Sequence, residues 1–242
     1  MAFLQAGRGD GPFGGDGRQA ILNVPAVVLW LIGVLAATHA LRVFLPPALG
    51  TAALHQLAFV PQHFAQLHGF GWTALAVMAS PLAHMFLHPD ATGVAVECLL
   101  LLAFGSVTAR RFGAWRFLTI FAGGGIAGAL LYMATAWNAP VGIIEASGGI
   151  TAVMLTAIRA TWMRQTRPTT YPPELAPILS PQVLVTIVLW MGLSFIFPSV
   201  VVLPTGTGAA LVWQQSAAGI AVGLLPSEIF DRLMPKIDLD RR

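Results

Sequence analysis

Runs of about 20 mostly apolar residues, separated by charged or proline-rich breaks, recur along most of the chain, and each is long enough for a helix to cross a lipid bilayer. Composition agrees. Only 10% of the 242 residues are charged and 56% are hydrophobic, against about 25% charged in soluble domains. A disordered chain would be poor in apolar residues, and a disulfide scaffold would need a partner for Cys98, the single cysteine. Thirteen basic against ten acidic residues leave a net charge of +3 and no dense basic patch, so nucleic acid is not an expected partner. The expected fold class is all-α, a polytopic membrane bundle of six transmembrane helices with a long interfacial outer loop.

The six spans are expected at Val24 to Leu45, Ala91 to Ala109, Phe117 to Trp137, Ser147 to Trp162, Pro181 to Leu203 and Gly208 to Leu225. A seventh apolar stretch, Phe70 to Leu87, is long enough to cross. Crossing would put Arg110, Arg111 and Arg116 on the opposite side from the other basic loops. With six spans and both termini cytoplasmic, every Lys and Arg except Arg42 falls on the cytoplasmic side, as the positive-inside rule requires. The expected location is a bacterial cytoplasmic membrane. Residues 1–20 read as a flexible cytoplasmic tail, 21–228 as the membrane domain and 229–242 as a cytoplasmic C-terminal tail. The first apolar run is span length from about Ile21 and is expected to stay as an anchor. Trp72, Trp115, Trp137, Trp162 and Trp190 near span ends read as interface anchors.

Polar groups at bilayer depth are costly and mark packed or functional interior positions. They are Glu97 in the second span, Glu145 and Ser147 at the start of the fourth, and Gln214, Gln215 and Ser216 in the sixth, with His84 and His88 at the entrance to the second. Gly124, Gly128, Gly148, Gly149, Gly219 and Gly223 are expected to let helix backbones approach closely. Ser216, Gly219 and Gly223 share one helical stripe, which is expected to face the start of the fourth span. The i, i+4 spacing of His84 and His88 suits a metal, but carboxylate or cysteine support is poor, so the expected role is loop-fixing hydrogen bonds, with no metal and no cofactor.

His84-Met-Phe-Leu-His88, then Phe104-Gly105 and Arg110-Arg111-Phe-Gly-Ala-Trp-Arg116-Phe, then Ala146-Ser147-Gly148-Gly149, then Ser216-Ala-Ala-Gly219-Ile-Ala-Val-Gly223 together resemble the rhomboid family of intramembrane serine proteases. The resemblance implies a nucleophile at Ser147 and a histidine base at the position of Ser216. It also implies a second-span His-x-x-x-Asn that helps hold the oxyanion, where this chain has Gly93 and Glu97, and a glycine where it has Glu145. Ser216 cannot take a proton from Ser147 at neutral pH, and losing such a base costs on the order of 10⁴ in rate.

The expected function is therefore that of a proteolytically inactive rhomboid-like protein. It would bind or stabilise transmembrane helices of other proteins, or serve as a subunit of a larger membrane complex, and its partner surface would be the lipid-facing side of the second and fifth spans, including Val188 on the fifth. The alternatives are a divergent intramembrane protease with Glu97 as base for Ser147, and a polar or proton pathway through Glu97. Ser147 otherwise reads as a helix N-cap. Glu97 reads as a carboxyl bonded across helices to Ser147, Gln214, Gln215 or Ser216. On the rhomboid register, Ser147, Glu97 and Ser216 are expected to lie close together.

Overall fold

A computed structural model describes residues 24–67, 69, 71–162, 170–171, 173–196, 199–203, 206–210, 213–235 and 237–238. The expected N-terminal tail, 1–20, lies outside them, as do His68, Arg164, Arg167, Lys236, Arg241 and Arg242. Helix α1 (Ala26–Phe44) is followed by three short helices, α2 (Pro47–Leu57), α3 (Pro61–Ala65) and α4 (Trp72–Ala83), the last running into a 3₁₀ turn, His84–Phe86. Prolines at the first position start α2 and α3, where the missing N–H costs nothing. These pieces occupy the long interfacial loop of the sequence reading. The Asp90 carboxylate caps α5 (Ala91–Leu100) by accepting from the Gly93 N–H. A π turn, Leu101–Gly105, joins α5 to α6 (Ser106–Phe112), so the apolar helix runs from Ala91 to Phe112. Gly113, at φ 83°, makes the turn into α7 (Ala114–Thr135), a left-handed conformation that favours glycine.

Helix α8 (Ser147–Thr161) is the axle of the bundle: all but three of its residues are buried, and α7 and α10 (Trp213–Arg232) pack along it. Glycines set the spacing. A Cβ on Gly124 would lie 2.5 Å from the Gly148 carbonyl oxygen, one on Gly148 2.6 Å from the Gly124 oxygen, and one on Gly223 2.7 Å from the Ala152 oxygen. On Gly219 it would strike the Gly148 oxygen, and on Gly128 it would lie 3.0 Å from the Gln215 Cα. Small residues here bring backbones into contact that no side chain permits. Around this core, Trp30, Leu99 and Val188 point outward and are exposed, an arrangement that fits a lipid solvent.

Two expected spans need correction. The fifth ends as helix α9 (Pro181–Ile196), and residues Ser199–Leu203 form strand β3, paired with β4 (Gly206–Ala210) in an antiparallel hairpin. In the sequence a proline at 198, which disfavours helix at and before its position, and three consecutive valines, which favour the pleated conformation, separate the two elements. The sixth starts at Trp213 instead of Gly208, and it runs through Pro226 to Arg232, past the expected tail boundary at 228. Strand β1 (Gly142–Ile143) extends the hairpin to three strands and meets Phe59 in an isolated bridge; a second antiparallel pair joins β2 (Thr170–Tyr171) to β5 (Ile237–Asp238). Among the described residues, three helices are long and apolar enough to cross a membrane: Ala26–Phe44, Ala91–Phe112 and Ala114–Thr135. Trp72–Phe86 and Pro181–Ile196 are shorter apolar helices.

Candidate functional site

The turn into α8 gathers most of the polar residues singled out in the sequence. Glu145 has φ 79°, the one non-glycine residue with positive φ among those described. Its N–H donates towards the carbonyls of His84 and Leu87, each at 3.0 Å, which fastens the turn to the 3₁₀ segment before α5. The rhomboid pattern has a glycine here, and the left-handed backbone supplies the physical reason; glutamate holds the same conformation at a strain of roughly 1–2 kcal/mol.

Ser147 is the first residue of α8, but its hydroxyl does not cap its own helix. It donates to Oε1 of Gln215 on α10 at 2.8 Å, and the same oxygen accepts from the Gly148 N–H at 3.2 Å. The N-cap reading is therefore wrong in its particulars: the cap of α8 is a carboxamide from a neighbouring helix. Gln215 is fully buried, and its side chain lies against Gly128, whose lack of a Cβ leaves it room.

Glu97 is buried, and its two oxygens have separate partners. Oε2 lies 2.7 Å from His88 Nε2, and Oε1 accepts from the Ala146 N–H at 2.8 Å. None of the four partners expected for it is used. A carboxylate at this depth needs a donor, and His88, at the end of the loop before α5, is held against it. Burial disfavours the His88 charge, but the hydrogen bond and charge of Glu97, with the charge of Glu145, outweigh it and raise the imidazole above its ordinary 6.5. A raised folded-state value gives stability that is full below about pH 6.5 and is lost as pH rises through the folded value. Glu97→Gln should lower the His88 titration midpoint, as read by NMR of labelled histidine. An unchanged midpoint would show that the pair does not set it.

Ser216 shares a 2.8 Å hydrogen bond with Ser194 of α9, and Trp190 of α9 donates to Thr151 of α8 at 2.8 Å. Trp190 is thus an inter-helix link, in contrast to its expected role as an interface anchor; Trp72, Trp115, Trp137 and Trp162 are exposed. Gln214 donates to Thr135 at 3.0 Å. Gly93 lies in the first turn of α5, and a Cβ there would come within 3.1 Å of Glu145 Oε1. Among the described residues no hydrogen bond joins Ser147 to Ser216 or to Glu97, although Glu97 is bound one residue away at Ala146. His84 Nδ1 meets the Ser80 carbonyl at 3.0 Å, and burial pushes this imidazole down to about 4. His84 and His88 thus bond to different groups, and no cluster of three or more His, Cys, Asp or Glu is placed to hold a metal among the described residues.

A model of the rhomboid domain matches residues 72–227, from the start of α4 to α10. This chain belongs to the rhomboid family. No curated protein matches it. Of the residues the resemblance singles out, Ser147 is bonded to an amide oxygen, Ser216 to a hydroxyl on α9, and Glu97 to His88 and a backbone amide.

His88 as the partner of Glu97, Gln215 as the partner of Ser147, and Ser194 are absent from the sequence expectations. The first had a legible signal, since His88 is the nearest imidazole to the same end of the span. The other two depend on inter-helix register, which one sequence does not display.

Proposed function

We propose that this rhomboid protein does not hydrolyse peptide bonds and binds transmembrane helices of partner proteins, either as transient clients or as fellow subunits of a membrane complex. The hydrogen bond from Ser147 to Gln215 carries the reading. A carboxamide oxygen accepts a hydrogen bond but does not take the proton at neutral pH, so the hydroxyl is anchored without being activated. Glu97 adds a second obstacle, because a carboxylate beside the α8 N-terminus opposes the negative charge that acyl transfer develops.

Six spans in a bacterial cytoplasmic membrane, both termini cytoplasmic, and one membrane domain that runs on through α10 to Arg232 complete the proposed arrangement. The partner face is α9. Val188 and Leu189 are exposed there, at 70% and 68%, while Val183 is buried and Trp190 and Ser194 link the helix to α8 and α10.

Fluorophosphonate probes should leave Ser147 unlabelled, and generic rhomboid substrates should stay intact. Labelling that disappears in Ser147→Ala would overturn the proposal in favour of a divergent protease, and its further loss in Glu97→Gln would identify the base. Copurification in mild detergent should return membrane proteins. Val188→Trp should weaken their retention by about tenfold, equivalent to 1.4 kcal/mol, without altering the fold. Retention indifferent to α9 substitutions and crosslinks confined to α1 and α2 would place the partner elsewhere.

A further inference from the structure

Helices α2, α3 and α4 line a half-open cavity of about 770 Å³, on the side of the bundle where the end of α2 packs against Ile144, beside the α8 N-terminal turn. That volume is in the range of small-molecule sites. Its walls include His55 and Gln56 from α2, His63 from α3, Gln66 after it, and Trp72 and Thr73 from α4. All six offer hydrogen-bond donors, counting the imidazoles in their usual tautomers. No Asp, Glu, Lys or Arg lies among the lining residues. Val77 and Leu67 supply apolar wall, and outside it Leu75 and Met78 of α4 are exposed along the helix. A donor-lined chamber beside an apolar helix face has the layout of a lipid molecule, with the polar head inside and the chains along the helix.

We propose that this cavity holds the phosphate headgroup of an anionic phospholipid from the leaflet on that side, with His55 and His63 as its principal contacts. With no carboxylate among the described lining residues, a metal cation's charge would stay uncompensated there, whereas an anion can be neutralised by a protonated imidazole. Burial and the proximity of His55 hold His63 below its ordinary value. An anion seated between the two rings reverses the second of these effects. His55 is the one charge acting on His63 among the described residues, so the response belongs to the pair.

The test uses the full chain in phosphatidylcholine nanodiscs, in the same discs with phosphatidylglycerol added, and in the first discs with inorganic phosphate. Labelled-histidine NMR follows the titration of both rings. Phosphatidylglycerol should raise the proton affinity of His63 by about tenfold, the linkage expected of a ligand that prefers the charged ring by that factor. Inorganic phosphate should do far less. Native mass spectrometry at about pH 6, where imidazoles begin to charge, should show phosphatidylglycerol retained by the native chain and lost from the His55→Gln/His63→Gln variant. The wild-type lipid comparison stands even if that variant fails to fold. An unchanged titration in phosphatidylglycerol overturns the proposal. So does an equal shift from inorganic phosphate, which would make this a free-anion site, or a response of both rings to zinc alone, which would make it a metal pair.

Discussion

Gly219→Ala should destabilise the bundle by about 1–3 kcal/mol or more, and Gly219→Leu should prevent its assembly. The added Cβ on α10 would lie far inside van der Waals contact of the Gly148 carbonyl oxygen and 2.7 Å from the Thr151 Cβ. Neither obstacle is the end of a flexible side chain. Relief would require α8 and α10 to separate, and α8 cannot retreat on its other side, because the Gly148 and Gly124 backbones are already in contact there. The strain therefore spreads over three helices. It also reaches the site, since separation would pull Gln215 from Ser147 and Gly148. Denaturant titration in detergent micelles with a near-ultraviolet circular dichroism readout would measure the loss. Gly192→Ala on α9 is the control: its Cβ would meet nothing within 4 Å, so it should be neutral or slightly stabilising. Equal losses for the two variants would refute the packing account.

This seam shows what was legible beforehand. Gly124, Gly128, Gly148, Gly149, Gly219 and Gly223 stood out because small residues at helical spacing in apolar runs have one common physical use. Their placement on α7, α8 and α10 follows from that use. The ends of the last two apolar helices were misjudged because hydropathy does not distinguish an apolar strand from an apolar helix. The Val200-Val201-Val202 run and Pro198 were the available correctives. At the site, Ser147 and Glu97 were found by the cost of polarity at depth, but their partners were not. Gln215 and Ser216 are adjacent in sequence yet serve different neighbours, one bonding Ser147 of α8 and the other Ser194 of α9. A helical step of about 100° sends neighbouring side chains to different faces, and which helix waits on each face is a tertiary fact.

The same limit hid a charged lock at the other end of α8, around Arg159, which lies inside the fourth expected span. Twelve residues, or about 18 Å of helix, separate it from Ser147. Arg159 is 1% exposed, and its guanidinium makes four hydrogen bonds: to the carbonyls of Ala176 and Leu224 at 3.0 Å, to Ser227 Oγ at 2.9 Å and to Glu228 Oε2 at 2.6 Å. It thus ties α8 both to the segment leading into α9 and to α10. A neighbouring ion pair between Arg111 and Asp231 does the same for α6, and Arg111 also donates to the Pro173 carbonyl at 2.5 Å.

Arg159→Ala should cost about 3 kcal/mol, the lower end of the 3–5 expected on breaking a buried pair, because Glu228 is 32% exposed on its side chain and can turn to water. Three neutral acceptors would lose the guanidinium at the same time, Leu224 keeping its bond from the Ser227 hydroxyl. Arg159→Lys keeps the charge, but a compact ammonium cannot span a planar fork of acceptors, so roughly half the loss should remain. Glu228→Gln should cost least, because the guanidinium keeps its bonds to Ala176, Leu224 and Ser227. The order Arg159→Ala, Arg159→Lys, Glu228→Gln, measured by the same denaturant titration, distinguishes a many-acceptor lock from a simple ion pair. Were Glu228→Gln as damaging as Arg159→Ala, the charge pair alone would hold this end of the bundle and the carbonyl contacts would be incidental.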